Sequence, residues 1–420
     1  MDALKSFYPV DHSAILYLSQ MEPNHTNIYR FTITLAEPVC PETLQKAADR
    51  VYTRFPTIFA GFHPGFLDYT VVPAQSAPQV VPDPGLLKTM TRDEIRQCAY
   101  RIYYRGNQVS IEAFHALTDG FGAIASFRTL MAEYLYLRCG VDSPERRQML
   151  ENGEPDWDAE LRDAYLDYDS ETPSRPPNRA ACQLTGGDRD WTVKAVTRTF
   201  STARLLAASR SHGVSMTAML SALMAEAILE LQKGGCRPGL EKPARIMVPI
   251  DLRRQFPSRT LRNFILYALP TMEPEEASLP RGERFLRFHS QLQAQTAREP
   301  LAAQLASNVR LQRLWLYRML PRVVKCGLMK LAYGFFGECN SSITLTNLGG
   351  VALSDELKQH IRALDVFLTP RRLCPYNCGL ISLGDVTSIT VTHFCTHGEL
   401  AESFFQKLHG ILQDQLAQTD

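Results

Sequence analysis

The sequence predicts an α/β protein of two domains, and three observations lead to this prediction. The chain has 420 residues, which is more than one ordinary hydrophobic core organises and suits two domains of roughly 200 residues each. Apolar patterns of the strand kind and of the helix kind are mixed in both halves, which argues against an all-α or an all-β fold. A polar, proline-rich stretch separates the two halves.

The N-terminal half opens with clear strand and helix patterns. β-Branched and aromatic residues alternate over 28–35 and predict a strand. Apolar residues at helical spacing follow over 41–54, and Phe55-Pro56 ends that helix because proline disfavours helical geometry in the residue before it. The other predicted elements of this half are strands over 67–72 and 108–114 and a helix from about 120 to 138.

The middle of the chain is different in composition. Residues 142–189 are polar and acidic, with SETPSRPPNRA at 170–180 and TGGD at 185–188. Proline and glycine at this density are typical of a linker or a long surface loop. The predicted division is an N-terminal domain over 1–175, a linker over 176–189 and a C-terminal domain over 190–420.

The C-terminal half again mixes strands and helices. Gly213 is predicted to end one helix, and Ser215 is predicted to cap the N-terminus of the next. Apolar residues nearly surround that second helix, so we expect it to be buried. The predicted strands are 192–200, 244–249, 343–346 and 386–394, and the predicted helices are 202–212, 215–232 and 399–412.

Composition argues against several classes of function. Lys+Arg number 45 and Asp+Glu number 44, so the formal net charge of +1 does not indicate nucleic-acid binding, which needs a basic excess on one face. The ten cysteines are scattered, and we identify no signal peptide, which together predict a cytoplasmic location. No window holds about eighteen uninterrupted apolar residues, so no spanning helix is expected.

The segment at 311–336, LQRLWLYRMLPRVVKCGLMKLAYGFF, is both apolar and basic. It predicts two amphipathic helices split at Pro321, packed on the core or lining a channel for an apolar substrate. A helix pair of this composition can also lie on a membrane surface, which is the alternative.

A possible catalytic motif lies at 110–128, SIEAFHALTDGFGAIASFR. The predicted strand ends at His115, a turn contains Asp119 and Gly120, and a helix follows. A lone histidine is usually structural or solvated, but the end of a strand holds the backbone while the ring projects into a cleft. The pKa of about 6.5 of an unperturbed histidine suits proton transfer near neutral pH. Gly120 is expected to allow a backbone conformation that side chains block.

FHALTDGFGA at 114–123 resembles the His-His-x-x-x-Asp-Gly signature of the superfamily that contains chloramphenicol acetyltransferase. Nonribosomal-peptide condensation domains and alcohol acetyltransferases belong to it, and the likeness is greatest to its stand-alone bacterial members of these two kinds. Nearly the full chain is covered. One departure is Phe114, which stands where the signature has its first histidine. The plant-type Asp-Phe-Gly-Trp-Gly motif was not located. The other matching segments are YPVDHSAILYL, VSMTAMLSALMAEAI at 214–228, VPIDLRRQFPSRTLRNF at 248–264 and SSITLTNLGG at 341–350.

The resemblance implies two chloramphenicol-acetyltransferase-like α/β sandwich domains with a channel at their interface. It also implies an acyltransferase, in which His115 is the general base and no covalent enzyme intermediate forms. The acyl donor is expected to be acyl-CoA, as co-substrate and not as a tightly bound cofactor, and the acceptor to be a small molecule with a hydroxyl or an amine. A monomer is expected, because each chain of the family closes its own channel.

The resemblance further implies roles around His115. Asp119 is expected to point away from the substrate and to pair with an arginine, for which Arg253 is the candidate and Arg254 the alternative. Asn263 is expected either as a structural residue of the channel wall or in a surface loop. The candidate donors to the oxyanion are the N–H of Gly120, Asn347 and a hydroxyl of Ser341 or Ser342.

Two other readings of the function are open. A carrier-protein phosphopantetheine could supply the acyl group, as in condensation enzymes, or the chain could be a non-catalytic binding relative, for which Phe114 is the only support. Zinc binding by His393, Cys395 and His397 is geometrically conceivable on a strand, but an obvious fourth ligand is missing, so no metal site is predicted.

Overall fold

A computed structural model describes most of the chain. The TGGD segment of the predicted linker, at 185–188, lies outside the described residues, as do residues 170 and 171 of the proline-rich stretch. The described residues are 8–22, 25–151, 153–168, 172–184, 189–235 and 241–417.

The structure confirms the prediction of a mixed α/β fold. Most predicted elements are present within a few residues of their expected ends. The strands are β1 Tyr8–Pro9, β2 Ile28–Leu35, β3 Ala60–Pro64, β4 Tyr69–Pro73, β5 Val80–Pro82, β6 Tyr100–Arg105, β7 Gln108–Phe114, β8 Arg189–Ser201, β9 Ala244–Asp251, β10 Ile265–Ala268, β11 Thr271–Met272, β12 Ile343–Gly350, β13 Ile361–Leu368, β14 Tyr376–Leu383 and β15 Val386–Cys395. The α-helices are α1 His12–Ser19, α2 Pro41–Arg54, α3 Arg92–Gln97, α4 Gly120–Cys139, α5 Pro144–Arg146, α6 Trp157–Glu160, α7 Thr202–Ser211, α8 Met216–Gly235, α9 Arg281–Thr296, α10 Arg298–Arg313, α11 Trp315–Met319, α12 Arg322–Phe336, α13 Asp355–Lys358 and α14 Glu399–Ala417.

The N-terminal half is built on a sheet with strand order β13-β2-β7-β6-β5. Helices α2 and α4 pack against each other and contribute to one hydrophobic core with this sheet. Four buried apolar residues of α2 (Leu44, Ala47, Ala48 and Val51) recur at the helical spacing seen in the sequence. The sheet and the two helices therefore hold the end of β7, where His115 follows.

The C-terminal half is built on a sheet with strand order β10-β9-β12-β14-β15-β8, and β11 pairs with β9. Helix α8 lies in the core of this half, as its apolar surface predicts. Ser215 caps α8, because its hydroxyl oxygen accepts the N–H of Ala218 at 3.2 Å. Strand β9 leads directly into the loop that carries Arg253 and Asn263.

One strand crosses between the halves. Strand β13 is antiparallel to β2, with Leu364 opposite Ile33, although β13 comes from the C-terminal part of the chain. Residues Leu357 and Val366 are buried in the N-terminal core for the same reason. The predicted division at 176–189 stays a prediction, and a continuous C-terminal unit over 190–420 would not describe this exchange.

The segment before β8 is more ordered than the predicted loop. Its composition is that of a linker, but α5, α6 and two further helical turns occur in it, and Tyr165 is buried. The Tyr165 hydroxyl donates to the carbonyl oxygen of Ile265 at 2.6 Å and accepts its N–H at 3.0 Å. This buried tyrosine holds the backbone of β10 by hydrogen bonds. The prediction of a surface loop is therefore wrong for 157–167.

The prediction for 311–336 is right about helices and wrong about their packing. Helix α11 ends before Pro321 and α12 begins after it, as expected. Eight of their apolar side chains are exposed and do not pack on the core, although Tyr317 is buried, and the alternative of lining a channel stays a prediction. Over the described ranges, no single helix has the length and apolar character to cross a bilayer, and one bent pair, α7 with α8, meets those criteria jointly.

Candidate active site

His115 follows the last residue of β7 and is held by the backbone of a neighbouring segment. Its N–H donates to the carbonyl oxygen of Asn27 at 2.8 Å. The ring of Tyr17 stacks on the imidazole with 4.5 Å between centroids, and the ring of Tyr29 meets it edge-on at 5.1 Å. The imidazole is half-buried. These contacts fix the ring plane and leave part of the ring accessible.

Asn263 determines which ring nitrogen of His115 carries the proton. The Nδ2 of Asn263 donates to the carbonyl oxygen of His115 at 2.8 Å, so the Oδ1 faces Nδ1 of the imidazole, 3.0 Å away. An amide oxygen only accepts, so Nδ1 must be the donor. The neutral ring therefore has its free lone pair on Nε2.

Burial lowers the pKa of His115 from its ordinary value of 6.5. A backbone hydrogen bond at His115, the charge of Asp119 and the bond that Nδ1–H donates to Asn263 oppose this, but the desolvation of the charged ring is the larger effect. The imidazole is therefore neutral at neutral pH and can accept a proton at Nε2.

Asp119 uses both carboxylate oxygens for structure. Its Oδ1 caps α4 by accepting the N–H groups of Phe121 at 3.0 Å and Gly122 at 3.3 Å. Its Oδ2 accepts from Nη1 of Arg253 at 2.8 Å and from the N–H of Phe264 at 2.9 Å. Four donors surround a side chain that is only 2% exposed, so Asp119 positions the turn and has no lone pair aimed at a substrate.

Arg253, and not Arg254, lies beside Asp119. The Arg253 side chain is only 7% exposed, whereas Arg254 is exposed. The guanidinium also pairs with Asp251 at 2.9 Å and donates to the carbonyl oxygens of Thr260 and Arg262. The pair thus ties the turn after β7 to the loop after β9, which comes from the other half of the chain.

The turn between His115 and α4 requires two glycines for space. Gly120 does not have a positive φ, so the expected conformational role is wrong; a Cβ there would lie 2.8 Å from Leu348. A Cβ on Gly122 would meet Thr118 and the carbonyl oxygen of Leu261. Close approach of the Leu261 backbone is therefore the reason for Gly122, whereas Gly120 faces only side chains, the nearest being Leu348.

The predicted oxyanion donors are in three different places. The N–H of Gly120 is the first of α4 and has no intrahelical acceptor. Asn347 donates to the hydroxyl of Thr217 at 2.9 Å and accepts from Gly349 at 3.0 Å, within its own half. The hydroxyl of Ser342 accepts the N–H of Arg245.

Ser342 is far from His115 along the sheet. Its partner Arg245 is the second residue of β9, whereas Asp251, which contacts Arg253, is the last. Six residues of strand separate the two positions by about 20 Å. The structure therefore does not bring Ser342, or its neighbour Ser341, to the catalytic candidates.

A cavity of about 590 Å³ lies at that far end of β9. Its walls include Arg175, Arg179, Arg245 and Tyr267. None of the predicted site residues lines it. This cavity is therefore separate from the His115 arrangement.

Phe114 has a structural explanation. Its side chain is fully buried in the N-terminal core and meets Phe62 edge-on, with 6.0 Å between ring centroids. A residue that points into the core makes no contact with a substrate at His115. Its replacement of a histidine therefore removes no group from the site, and the support for a non-catalytic protein weakens.

Sequence reasoning missed the aromatic walls of the site. Tyr17 lies in a segment that was noted only for its likeness, and Tyr29 lies on β2, whose register places it opposite Ala113. The Tyr29 hydroxyl donates to the carbonyl oxygens of Thr118 and Asp119, both at 3.0 Å. A tyrosine on the strand next to the histidine was the available signal, but its register follows only from the folded sheet.

His393 and Cys395 do not form the conceivable zinc arrangement. His393 is buried on β15, and its Nδ1 lies 3.0 Å from the carbonyl oxygen of Cys395. His397 follows the strand and is exposed. A ring bonded to backbone in this way is a structural histidine.

No protein-family model and no curated protein sequence matches the chain. Solved structures do match over almost the full length. The trichothecene 15-O-acetyltransferase of Fusarium sporotrichioides is similar with a TM-score of 0.61 at 11% identity, covering 96% of this chain and 93% of its own. F. sporotrichioides TRI101, complexed with coenzyme A and T-2, has a TM-score of 0.60 at 13% identity, with 94% and 96% covered.

A third likeness is to the starter condensation domain of rhizomide synthetase. The TM-score is 0.54 at 13% identity, and 98% of this chain and 97% of that chain are covered. Because the coverage includes almost the whole of both chains, the match extends over both halves and is not limited to one shared sheet. The chain therefore has the two-domain fold of the chloramphenicol-acetyltransferase-like and condensation-domain superfamily.

Proposed function

We propose that the protein is an acyltransferase that moves an acyl group from a thioester to a hydroxyl or an amine, with His115 as the general base. The observation that carries this proposal is the pair of hydrogen bonds between Asn263 and His115, in which the amide donates to the His115 carbonyl oxygen and accepts from Nδ1, so that the lone pair of the neutral ring lies on Nε2. The fold, shared with acetyltransferases and a condensation domain, supports the same chemistry.

The reaction requires one proton acceptor and one stabiliser of negative charge. Nε2 of His115 takes the proton of the acceptor O–H or N–H while the acceptor atom bonds to the thioester carbonyl carbon. The tetrahedral oxyanion then collapses, the C–S bond breaks, and the leaving thiolate takes the proton back from the imidazolium. General base catalysis of this kind contributes about 10²–10⁴-fold, and orientation of the two substrates adds to it.

The remaining site residues act by position. Asp119 and Arg253 hold the turn that aims His115, and Asn263 holds the ring. The N–H of Gly120 is the oxyanion donor that we favour, because it lies at the positive end of the α4 dipole. Asn347 is hydrogen-bonded to Thr217 and Gly349, and Ser342 to Arg245, so we favour neither as the oxyanion donor.

Acyl-CoA is the donor that we favour. The support for this choice is that a similar structure is complexed with coenzyme A. The second candidate is a separate carrier protein, and it is favoured by the likeness to a condensation domain.

The test measures thiol release from acetyl-CoA and longer acyl-CoA donors with a panel of alcohols and amines. His115→Ala is compared with wild type, and His397→Ala is the matched control because that histidine is exposed and distant from the motif in sequence. We expect acceptor-dependent release that falls by about 10²-fold or more in His115→Ala and is unchanged in His397→Ala.

Different outcomes distinguish the alternatives. Equal release by wild type and a folded His115→Ala would show that His115 is not the base. Release only from acyl carrier-protein thioesters would replace acyl-CoA by the carrier donor. No release from either donor class would favour a non-catalytic binding protein.

A further inference from the structure

Helices α11 and α12 carry an exposed apolar surface. We call it the α11–α12 surface, and the exposed fractions of its side chains lie between 45% and 71%. Phe66, in the turn between β3 and β4, adjoins it, because its carbonyl oxygen accepts the N–H of Arg322 at 2.9 Å. The surface consists of Leu314, Trp315, Leu316, Met319, Val323, Val324, Leu328 and Leu331.

Helix α12 turns its apolar side to solvent, whereas the usual surface helix of a globular protein turns that side to the core. Val324, Leu328 and Leu331 recur at helical spacing and face outward. Lys325 is buried instead, and its ammonium pairs with Asp68 at 3.0 Å. An amphipathic helix normally turns its apolar stripe toward the core, whereas here the inner side of the helix carries an ion pair and the stripe faces solvent.

The same segment is basic and lacks acidic residues. Between residues 300 and 337 there are six basic side chains and no aspartate or glutamate, whereas the whole chain is almost neutral at +1. Arg318 on α11 is exposed, and so is Lys330 next to the apolar stripe, where its ammonium also pairs with Glu22 at 3.1 Å. The basic residues of the segment are Arg310, Arg313, Arg318, Arg322, Lys325 and Lys330.

This surface is rigidly attached close to the candidate active site. Helix α12 packs on α1, and Tyr17 of α1 stacks on His115. Burial raises the pKa of Tyr17, and the nearby phenol of Tyr333 on α12 adds to the rise. One helix layer therefore separates the α11–α12 surface from the imidazole.

We propose that the α11–α12 surface binds the face of an anionic lipid bilayer. Apolar side chains on one face enter the boundary between head groups and acyl chains, and Trp315 is of a type that prefers this boundary. Arg318 and Lys330 meet the anionic head groups. A protein partner or a second copy of this chain would explain the apolar residues, but the excess of basic side chains matches an anionic surface.

The experiment uses the full chain and flotation with two kinds of vesicle, phosphatidylcholine alone and phosphatidylcholine mixed with phosphatidylglycerol. We expect binding to the anionic vesicles that is about tenfold stronger than to the neutral ones, since each basic residue near such a surface adds attraction. High salt should weaken it because it shortens the screening length to about 3 Å at 1 M.

The variants locate the contact. The double variant Trp315→Ser/Leu316→Ser should lose most of the binding, and Arg318→Glu should lose the preference for anionic vesicles. Trp191→Ser is the matched control, because Trp191 is 52% exposed on β8, outside the surface. Thermal melting checks that each variant is folded, and none of these residues belongs to the proposed catalytic site.

The outcomes are decisive in both directions. Binding that the double variant abolishes and Trp191→Ser leaves intact supports the proposal, whatever the acyltransferase assay shows. Absence of binding to both vesicles overturns it, and so does binding that the double variant leaves unchanged. A dimer in solution that the double variant dissociates, without vesicle binding, would overturn it in favour of contact between two copies.

Discussion

His115 and Asn263 form the smallest unit on which the proposed chemistry depends. One amide bonds both the backbone and the ring of the histidine, so the position of the proton on the ring is decided by a residue 148 positions away in sequence. Asp119 acts on the chemistry only indirectly, because its carboxylate bonds the turn after β7 and is not directed at a substrate.

The pH dependence of the rate tests this unit. Burial depresses the pKa of His115 below 6.5, so kcat/KM should be constant at neutral pH and should fall only as the pH drops through that lower value. Asn263→Ala removes a bond that favours the charged ring, so its acid limb should move to still lower pH. Its plateau should fall by about tenfold or more, because the ring loses its fixed tautomer.

The control for this measurement is Asn347→Ala, which alters an asparagine bonded to Thr217 and Gly349 instead. Its acid limb should coincide with that of wild type. An acid limb that stays in place in Asn263→Ala would contradict the assignment of the tautomer.

At the scale of the element, β7, the turn and α4 act as one support for the histidine. The Asp119 carboxylate caps the helix and the glycines after it admit the loop from the other half of the chain. This explains why the sequence pattern of strand, turn and helix was recognisable, since every part of it is local. Why two glycines are needed was not recognisable, because Leu261 and Leu348 approach from distant segments.

Replacing each glycine by alanine should show which of the two close contacts matters more for stability. Gly122→Ala places a methyl group against the carbonyl oxygen of Leu261 and against Thr118, and overpacking of this kind costs about 1–3 kcal/mol. Gly120→Ala meets only the end of the Leu348 side chain, which can turn away. Urea unfolding should therefore show a larger loss of stability for Gly122→Ala, and the opposite order would disprove the close approach.

At the scale of the whole molecule, the site exists only because the two halves are interlocked. Strand β13 completes the N-terminal sheet, and the ion pair of Arg253 with Asp119 joins loops of both halves. The N-terminal sheet takes its edge strand from the C-terminal part of the chain, and the turn after β7 is bonded to the loop after β9.

This interlocking predicts cooperative unfolding of the two halves. In urea, tryptophan fluorescence and far-UV circular dichroism should follow one coincident transition, since loss of β13 exposes the edge of β2. Two separated transitions would show that the halves are stable independently. Leu364→Asp in β13, where the side chain is buried, should lower the midpoint seen by both probes together.

The sequence by itself determined the elements, the class of fold and the pattern around His115, because alternation, helical spacing, caps and the His-x-x-x-Asp-Gly motif are all short-range properties. It also placed Arg253 in the right segment, through a resemblance. The tertiary structure alone decided the stacking of Tyr17 on the imidazole, the exchange of β13 and the two bonds of Asn263, since these join residues far apart in the chain. It also decided the exposure of α12, because helical periodicity specifies an apolar stripe but not what lies against it, and here the stripe faces solvent while Lys325 is buried and pairs with Asp68.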